Sequence, residues 1–264
     1  MENPRVYGEG PFKLALVHGG PGAAGELGPL AADLSNGLGV IEPLQTEPSL
    51  QGQVRELADM ISESSDPPIV VLGWSWGAWL GYILASEQPD LVSKLILVGS
   101  APFEDKYAQD ITDTRISRLE GWEIKLLSSI ISDLNDPLNP EPERDLRRMA
   151  EIIKKADSYD LLPHTNPHII YDASIHKTAW KDGQCLRKTG ELLSMGNGIK
   201  CPVVAIHGDH DPHPYEGVIE PLSGVLDDFL PIVIERCGHY PWYERYARDR
   251  FLMILRDVLE GPLP

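Results

Sequence analysis

Apolar residues along this chain fall into short runs that stop at glycine, proline or a polar turn, at residues 13–18, 38–41, 69–73, 95–99, 203–207 and 231–235. Their length and their turn-rich flanks predict strands. Residues 69–72 and 95–98 are apolar at every position, the pattern of parallel strands covered on both faces. Helical spacing over 25–34, 50–64, 76–87 and 242–259 fills the gaps. Strand and helix alternate as in βαβ units, which predicts a doubly wound, mostly parallel α/β sheet. The rhythm breaks from 101 to 200, where helical spacing over 119–134 and 142–157 is punctuated by Pro137, Pro140 and Pro142. That predicts one α/β core from residues 1–100 and 201–264, interrupted by a helical cap at 101–200.

Charge sharpens this division. Of the 264 residues 40 are acidic and 23 are Lys or Arg, a net charge of −17. The predicted core holds −8 (residues 1–100) and −6 (201–264), and the predicted cap only −3. An acidic surface repels phosphate backbones and anionic lipid, so neither nucleic acid nor membrane is expected as a partner. Cys185, Cys201 and Cys237 form no C-x-x-C pair, which argues against a disulfide framework or zinc knuckle and for a reducing, cytoplasmic setting. No stretch of 18 apolar residues and no signal-peptide pattern occurs. The oligomeric state is not readable.

Four short segments at the ends of predicted strands carry the candidate chemistry. The first is Gly73-Trp74-Ser75-Trp76-Gly77. A serine on a sharp strand-to-helix turn needs small residues two before and two after it, and the turn exposes its hydroxyl while aiming the next N–H at a developing oxyanion. The second, His18-Gly19-Gly20-Pro21-Gly22, lets the backbone pass close to a substrate, although a tight βα turn would use the same residues. The third, His207-Gly208-Asp209-His210-Asp211, offers a carboxylate to orient a histidine; Asp211 is the first choice and Asp209 the fallback, and either alone would more often be a turn residue. The fourth, Cys237-Gly238-His239-Tyr240-Pro241, supplies a histidine, the only one after His213.

The order Ser75, Asp211, His239, each beyond a strand, resembles the α/β-hydrolase fold. H-G-G-P-G with G-x-S-W-G resembles its proline iminopeptidase (prolyl aminopeptidase) branch most. The fold resemblance covers nearly the whole chain and the branch resemblance two motifs. It implies Ser75 as nucleophile, Asp211 as acid, His239 as base, and the Gly20 and Trp76 amides as the oxyanion hole. It implies no cofactor, and a small-molecule or short-peptide substrate whose ester or amide is cleaved through an acyl-enzyme. A carboxylesterase, a C–C bond hydrolase or a slow-turnover ligand sensor on the same fold are the alternatives. The antiparallel strands that usually open this fold are expected to be shortened or missing, because about ten residues precede the first clear strand. Trp74, Trp122 and Glu123 are candidate pocket residues; Glu120 and Glu123, beside Trp122, read more readily as solvated helix residues than as carboxylates for a substrate amine, and Trp79 reads equally as core.

His207, Asp209, His210, Asp211 and His213 cluster residue types that can ligate a metal. The first two histidines are three apart rather than two, Pro212 and Pro214 stiffen the segment and no further ligand cluster is evident, so no metal is expected. His164 and His168 straddle prolines and read as loop residues.

Overall fold

The computed structural model describes residues 2–261. In chain order its strands are β1 (Arg5–Tyr7), β2 (Phe12–Val17), β3 (Ala23–Ala24), β4 (Gly39–Glu42), β5 (Ile69–Trp74), β6 (Val92–Val98), β7 (Ile170–Tyr171), β8 (Val203–Gly208) and β9 (Phe229–Ile234). Seven of them build one sheet in the order β1-β4-β2-β5-β6-β8-β9, parallel throughout except where β1 pairs antiparallel with β4. β1 is three residues long, the shortened edge expected from the brief N-terminal segment. β3 and β7 form a separate antiparallel pair.

Alternation explains the unbroken apolar runs. On one face Ala15, Val17, Val71, Leu95, Leu97, Val203 and Ala205 join one core. On the other Leu14, Leu16, Leu72, Ile96, Val98, Val204 and Ile206 join a second. Each central strand must therefore be apolar at odd and even positions alike. The first core is closed by α2 (Leu50–Ser64) and α3 (Trp76–Glu87), the second by α1 (Gly28–Leu34) and the C-terminal helix α10 (Arg248–Glu260). The C-terminal helix starts later than its apolar spacing suggests. Pro241–Tyr243 forms a 3-10 turn, and the buried Glu244 carboxylate accepts the N–H groups of Tyr159, Asp160 and Gly238.

Between β6 and β8 lie α4 (Ile111–Ser117), α5 (Gly121–Asn135), α6 (Pro142–Ala156), α7 (Ala173–Thr189) and α8 (Glu191–Ser194), and α9 (Glu216–Ser223) follows β8. Packing divides this segment. Helices α5 and α6 pack on each other, whereas Ala179 of α7 and Leu192 of α8 belong to the first core and Gly183 lies against the Trp76 and Trp79 rings. Helix α7 has a weak apolar row, because Ala179, Gly183 and Arg187 share its buried face with Ile175; Asp172 accepting from Ile175 N–H at its start and left-handed Gly190 at its end are the signals that mark it.

Candidate active site

Ser75 stands at the junction of β5 and α3 with φ 54° and ψ −113°, a conformation an L-residue rarely adopts, held by its N–H donating to Val98 O at 2.9 Å. The flanking glycines are obligatory. A Cβ on Gly73 would lie 2.1 Å from Gly77 O, and one on Gly77 2.1 Å from Val17 O. Trp76 is the first residue of α3, so its N–H has no acceptor within the helix and lies at the positive end of the helix dipole. Gly20, with φ +34°, lines the same cavity as Ser75. Gly19 packs flat on the Trp74 ring, where a Cβ would come within 2.5 Å.

The loops after β8 and β9 bring Asp211 and His239 together. Asp211 is buried, and its Oδ2 lies 2.7 Å from His239 Nδ1. Its other oxygen lies 2.9 Å from His213 Nδ1 and accepts the His213 backbone N–H at 2.9 Å. An ionised carboxylate only accepts, so both rings donate through Nδ1 and His239 keeps an Nε2 lone pair. Burial works against the Asp211 anion, but the His239 and His213 charges and hydrogen bonds prevail and hold its pKa well below the ordinary carboxylate value. Burial likewise opposes the His239 cation, and the Asp211 charge and hydrogen bond raise its pKa above the ordinary imidazole value. His213 is pushed down to about 4 by burial and is neutral near pH 7. Among the described residues no hydrogen bond joins Asp209 to His239; the Asp209 carboxylate accepts the Cys237 N–H at 3.2 Å.

Asp211, His213 and His239 stand close enough together to hold an ion, but the Nδ1 atoms of both rings are taken up in hydrogen bonds to the carboxylate. Gly99 closes the back of the acid–base pair: a Cβ there would stand 3.1 Å from His239 Nδ1 and 3.2 Å from Asp211 Oδ2. The residue that ends α6 fixes the His239 backbone. Asp157 O accepts the His239 N–H at 2.8 Å, and the Asp157 carboxylate takes a bidentate pair from Arg115 at 2.7 and 2.6 Å.

Ser75 and His239 line a cavity of about 260 Å³. Leu146, Met149, Ala150 and Ile153 present the apolar face of α6 to it, and Trp180, Tyr171 and Tyr240 complete the aromatic wall. Trp74 lines it too, its ring 5.1 Å from that of His239 and its Nε1 donating to His239 O at 2.8 Å. Trp76 and Trp79 are core residues; the Trp76 indole donates to Gln53 Oε1 at 2.8 Å. Trp122 and Glu123 do not line the cavity. Trp122 is 62% exposed at the start of α5, and Glu123 caps that helix, accepting the Glu120 N–H at 2.9 Å and pairing with Lys155 at 2.6 Å. Glu120 and Glu123 together form a capping box at the start of α5. His213, Arg115, Trp180 and Glu26 were missed, since only the tertiary fold brings them to Ser75; a second histidine two residues after Asp211 was the one available hint.

Residues 14–251 match the family model described as the alpha/beta hydrolase family, and the chain belongs to that family. It is a hydrolase, and its parallel sheet with flanking helices is the fold of that family. Among relatives, a pimeloyl-[acyl-carrier protein] methyl ester esterase of Aromatoleum aromaticum is 23% identical over 198 residues, 73% of this chain and 74% of that protein. A similarly named esterase of Nitrosospira multiformis is 19% identical, over 72% of this chain and 69% of its own. The structure of a Paleococcus ferrophilus monoacylglycerol lipase superposes with a TM-score of 0.62 at 16% identity, covering 98% of both chains. The 2-hydroxy-6-oxo-6-phenylhexa-2,4-dienoate hydrolase of Rhodococcus sp. strain RHA1 does so at 0.60 and 18%, over 96% of this chain and 92% of that one. These likenesses give the proline iminopeptidase branch no specific support. Among the described residues no helix is long and apolar enough to cross a membrane.

Proposed function

We propose that the chain is a serine esterase in which Ser75 attacks an ester carbonyl, His239 serves as base and acid, and Asp211 orients His239. The observation that carries this reading is the 2.7 Å Asp211–His239 contact beside a serine held in a strained strand-to-helix turn on the same cavity. His239 Nε2 takes the Ser75 proton as Oγ bonds to the carbonyl carbon, and the Trp76 and Gly20 N–H groups stabilise the oxyanion. Collapse of the tetrahedral intermediate returns that proton to the leaving alkoxide. Water, deprotonated by the same nitrogen, then releases the acid and frees Ser75.

Residues 1–100 and 201–264 supply the chemistry in this reading, and 101–200 the cover that selects a small-molecule substrate. The mostly apolar cavity wall and the methyl ester esterases among the relatives favour esters. The H-G-G-P-G motif favours the finer, iminopeptidase-like alternative. Turnover of short-chain 4-nitrophenyl esters against prolyl and other aminoacyl 4-nitroanilides tests the choice. Ester cleavage at least 100-fold faster supports the esterase; preference for an anilide with a free amine would replace it by the aminopeptidase. Three free cysteines fit a reducing, cytoplasmic setting.

A further inference from the structure

Two carboxylates line the cavity, and they differ in how they are satisfied. Asp157 is locked to Arg115. Glu26 is 9% exposed, yet among the described residues no hydrogen bond reaches its carboxylate. Its nearest cation, Lys154 Nζ, stands at 4.0 Å and lies over the Tyr240 and Tyr243 rings at 4.8 and 5.7 Å from their centroids. Burial without a hydrogen-bond donor makes this carboxylate costly to ionise and pushes its pKa up to about 7, so above neutral pH it is an anion whose charge a donor would stabilise. The placement of Glu26 is fixed by its surroundings. It follows β3 six residues beyond Gly20, and Asn166 Nδ2 donates to the Gly25 and Glu26 carbonyls at 3.0 and 3.3 Å.

We propose that Glu26 is a specificity-determining residue that accepts a hydrogen bond from a hydroxyl or ammonium group carried by the substrate away from its reacting carbonyl. This deepens the serine-esterase reading and rests on it. The α6 residues Leu146, Met149, Ala150 and Ile153 take the hydrocarbon part of such a substrate, and Glu26 takes its polar end. Above pH 7, where Glu26 is mostly ionised, a hydrogen bond to this charged acceptor corresponds to about 10- to 100-fold in kcat/KM.

The probes are the methyl esters of hexanoic, 3-hydroxyhexanoic, 6-hydroxyhexanoic and 6-aminohexanoic acids, followed by acid release. The wild type is expected to favour at least one donor-bearing ester by about 10-fold or more over methyl hexanoate. In Glu26→Leu that ratio falls to near one. Glu26→Gln, closer in shape, keeps a preference for a hydroxyl and loses one for the amine. A wild type indifferent to all three donors, or ratios unchanged in both variants, overturns the assignment of Glu26 and leaves the nucleophile standing. Turnover of methyl hexanoate that survives Ser75→Ala overturns the esterase reading itself.

Discussion

The two walls of the cavity are built on opposite principles. Below, Ser75, Asp211 and His239 stand on loops at the ends of parallel strands, and Ser75 and His239 are each tied by a backbone hydrogen bond to a distant segment. Above, α6 turns one apolar row toward the cavity and carries Arg144, Arg147, Arg148 and Lys155 on its other sides. A wall fixed by hydrogen bonds can hold reacting atoms in one geometry, whereas a wall of packed aliphatic side chains sets volume and polarity. The reaction is therefore expected to belong to the lower wall and substrate choice to the upper.

Substitutions can break or sharpen that contrast. Ser75→Ala is expected to lower kcat by about 10⁶-fold and abolish fluorophosphonate labelling, with Tm nearly unchanged. Activity within tenfold of wild type would show that the lower wall does not carry the reaction. Asp211→Asn is expected to cost on the order of 10⁴-fold in kcat. The base must be neutral and Asp211 raises its pKa, so wild-type kcat/KM falls as pH drops through a value above that of free imidazole. In the Asn variant this acid limb should move to lower pH; a stationary limb would mean His239 is not the titrating base.

Asp157→Ala tests the seam between the walls. It leaves Arg115 mostly buried and unpaired, a loss on the order of 3 kcal/mol of stability measurable by urea unfolding, while the backbone bond to His239 remains. Ile153→Ala in α6 is expected to move the preferred acyl length upward and change kcat/KM ratios by about tenfold with little effect on kcat for the best ester. An unaltered chain-length profile would remove α6 from selection. Trp122→Ala, on the exposed side of α5, should change stability and activity by less than about 0.5 kcal/mol equivalent.

The sheet was legible because each central strand is buried on two faces and each strand end carries glycine or a polar turn. Helices α2 and α3 coincide with their spacing, residue for residue. Gly73 and Gly77 mark the serine turn because the backbones there approach too closely for any Cβ. Helix α7 was obscured because its buried row holds Gly183 and small Ala179, residues that fit between tryptophans rather than advertise a core. Glu123 misled because a carboxylate at a helix N-terminus and one in a binding site look alike in sequence.

Sequence alone determined six of the seven strands of the main sheet, the order of the three candidate residues and the positions of the glycines that make room for them, because these depend on local periodicity and on residues that cannot be replaced. Tertiary structure decided which aspartate meets His239, that His213 shares it, and that Glu26 and α6 face Ser75. Except for His213, a sequence neighbour of Asp211, those are contacts between separate segments, 28 residues apart for Asp211 and His239, set by how the helices and loops pack, and no local spacing encodes them.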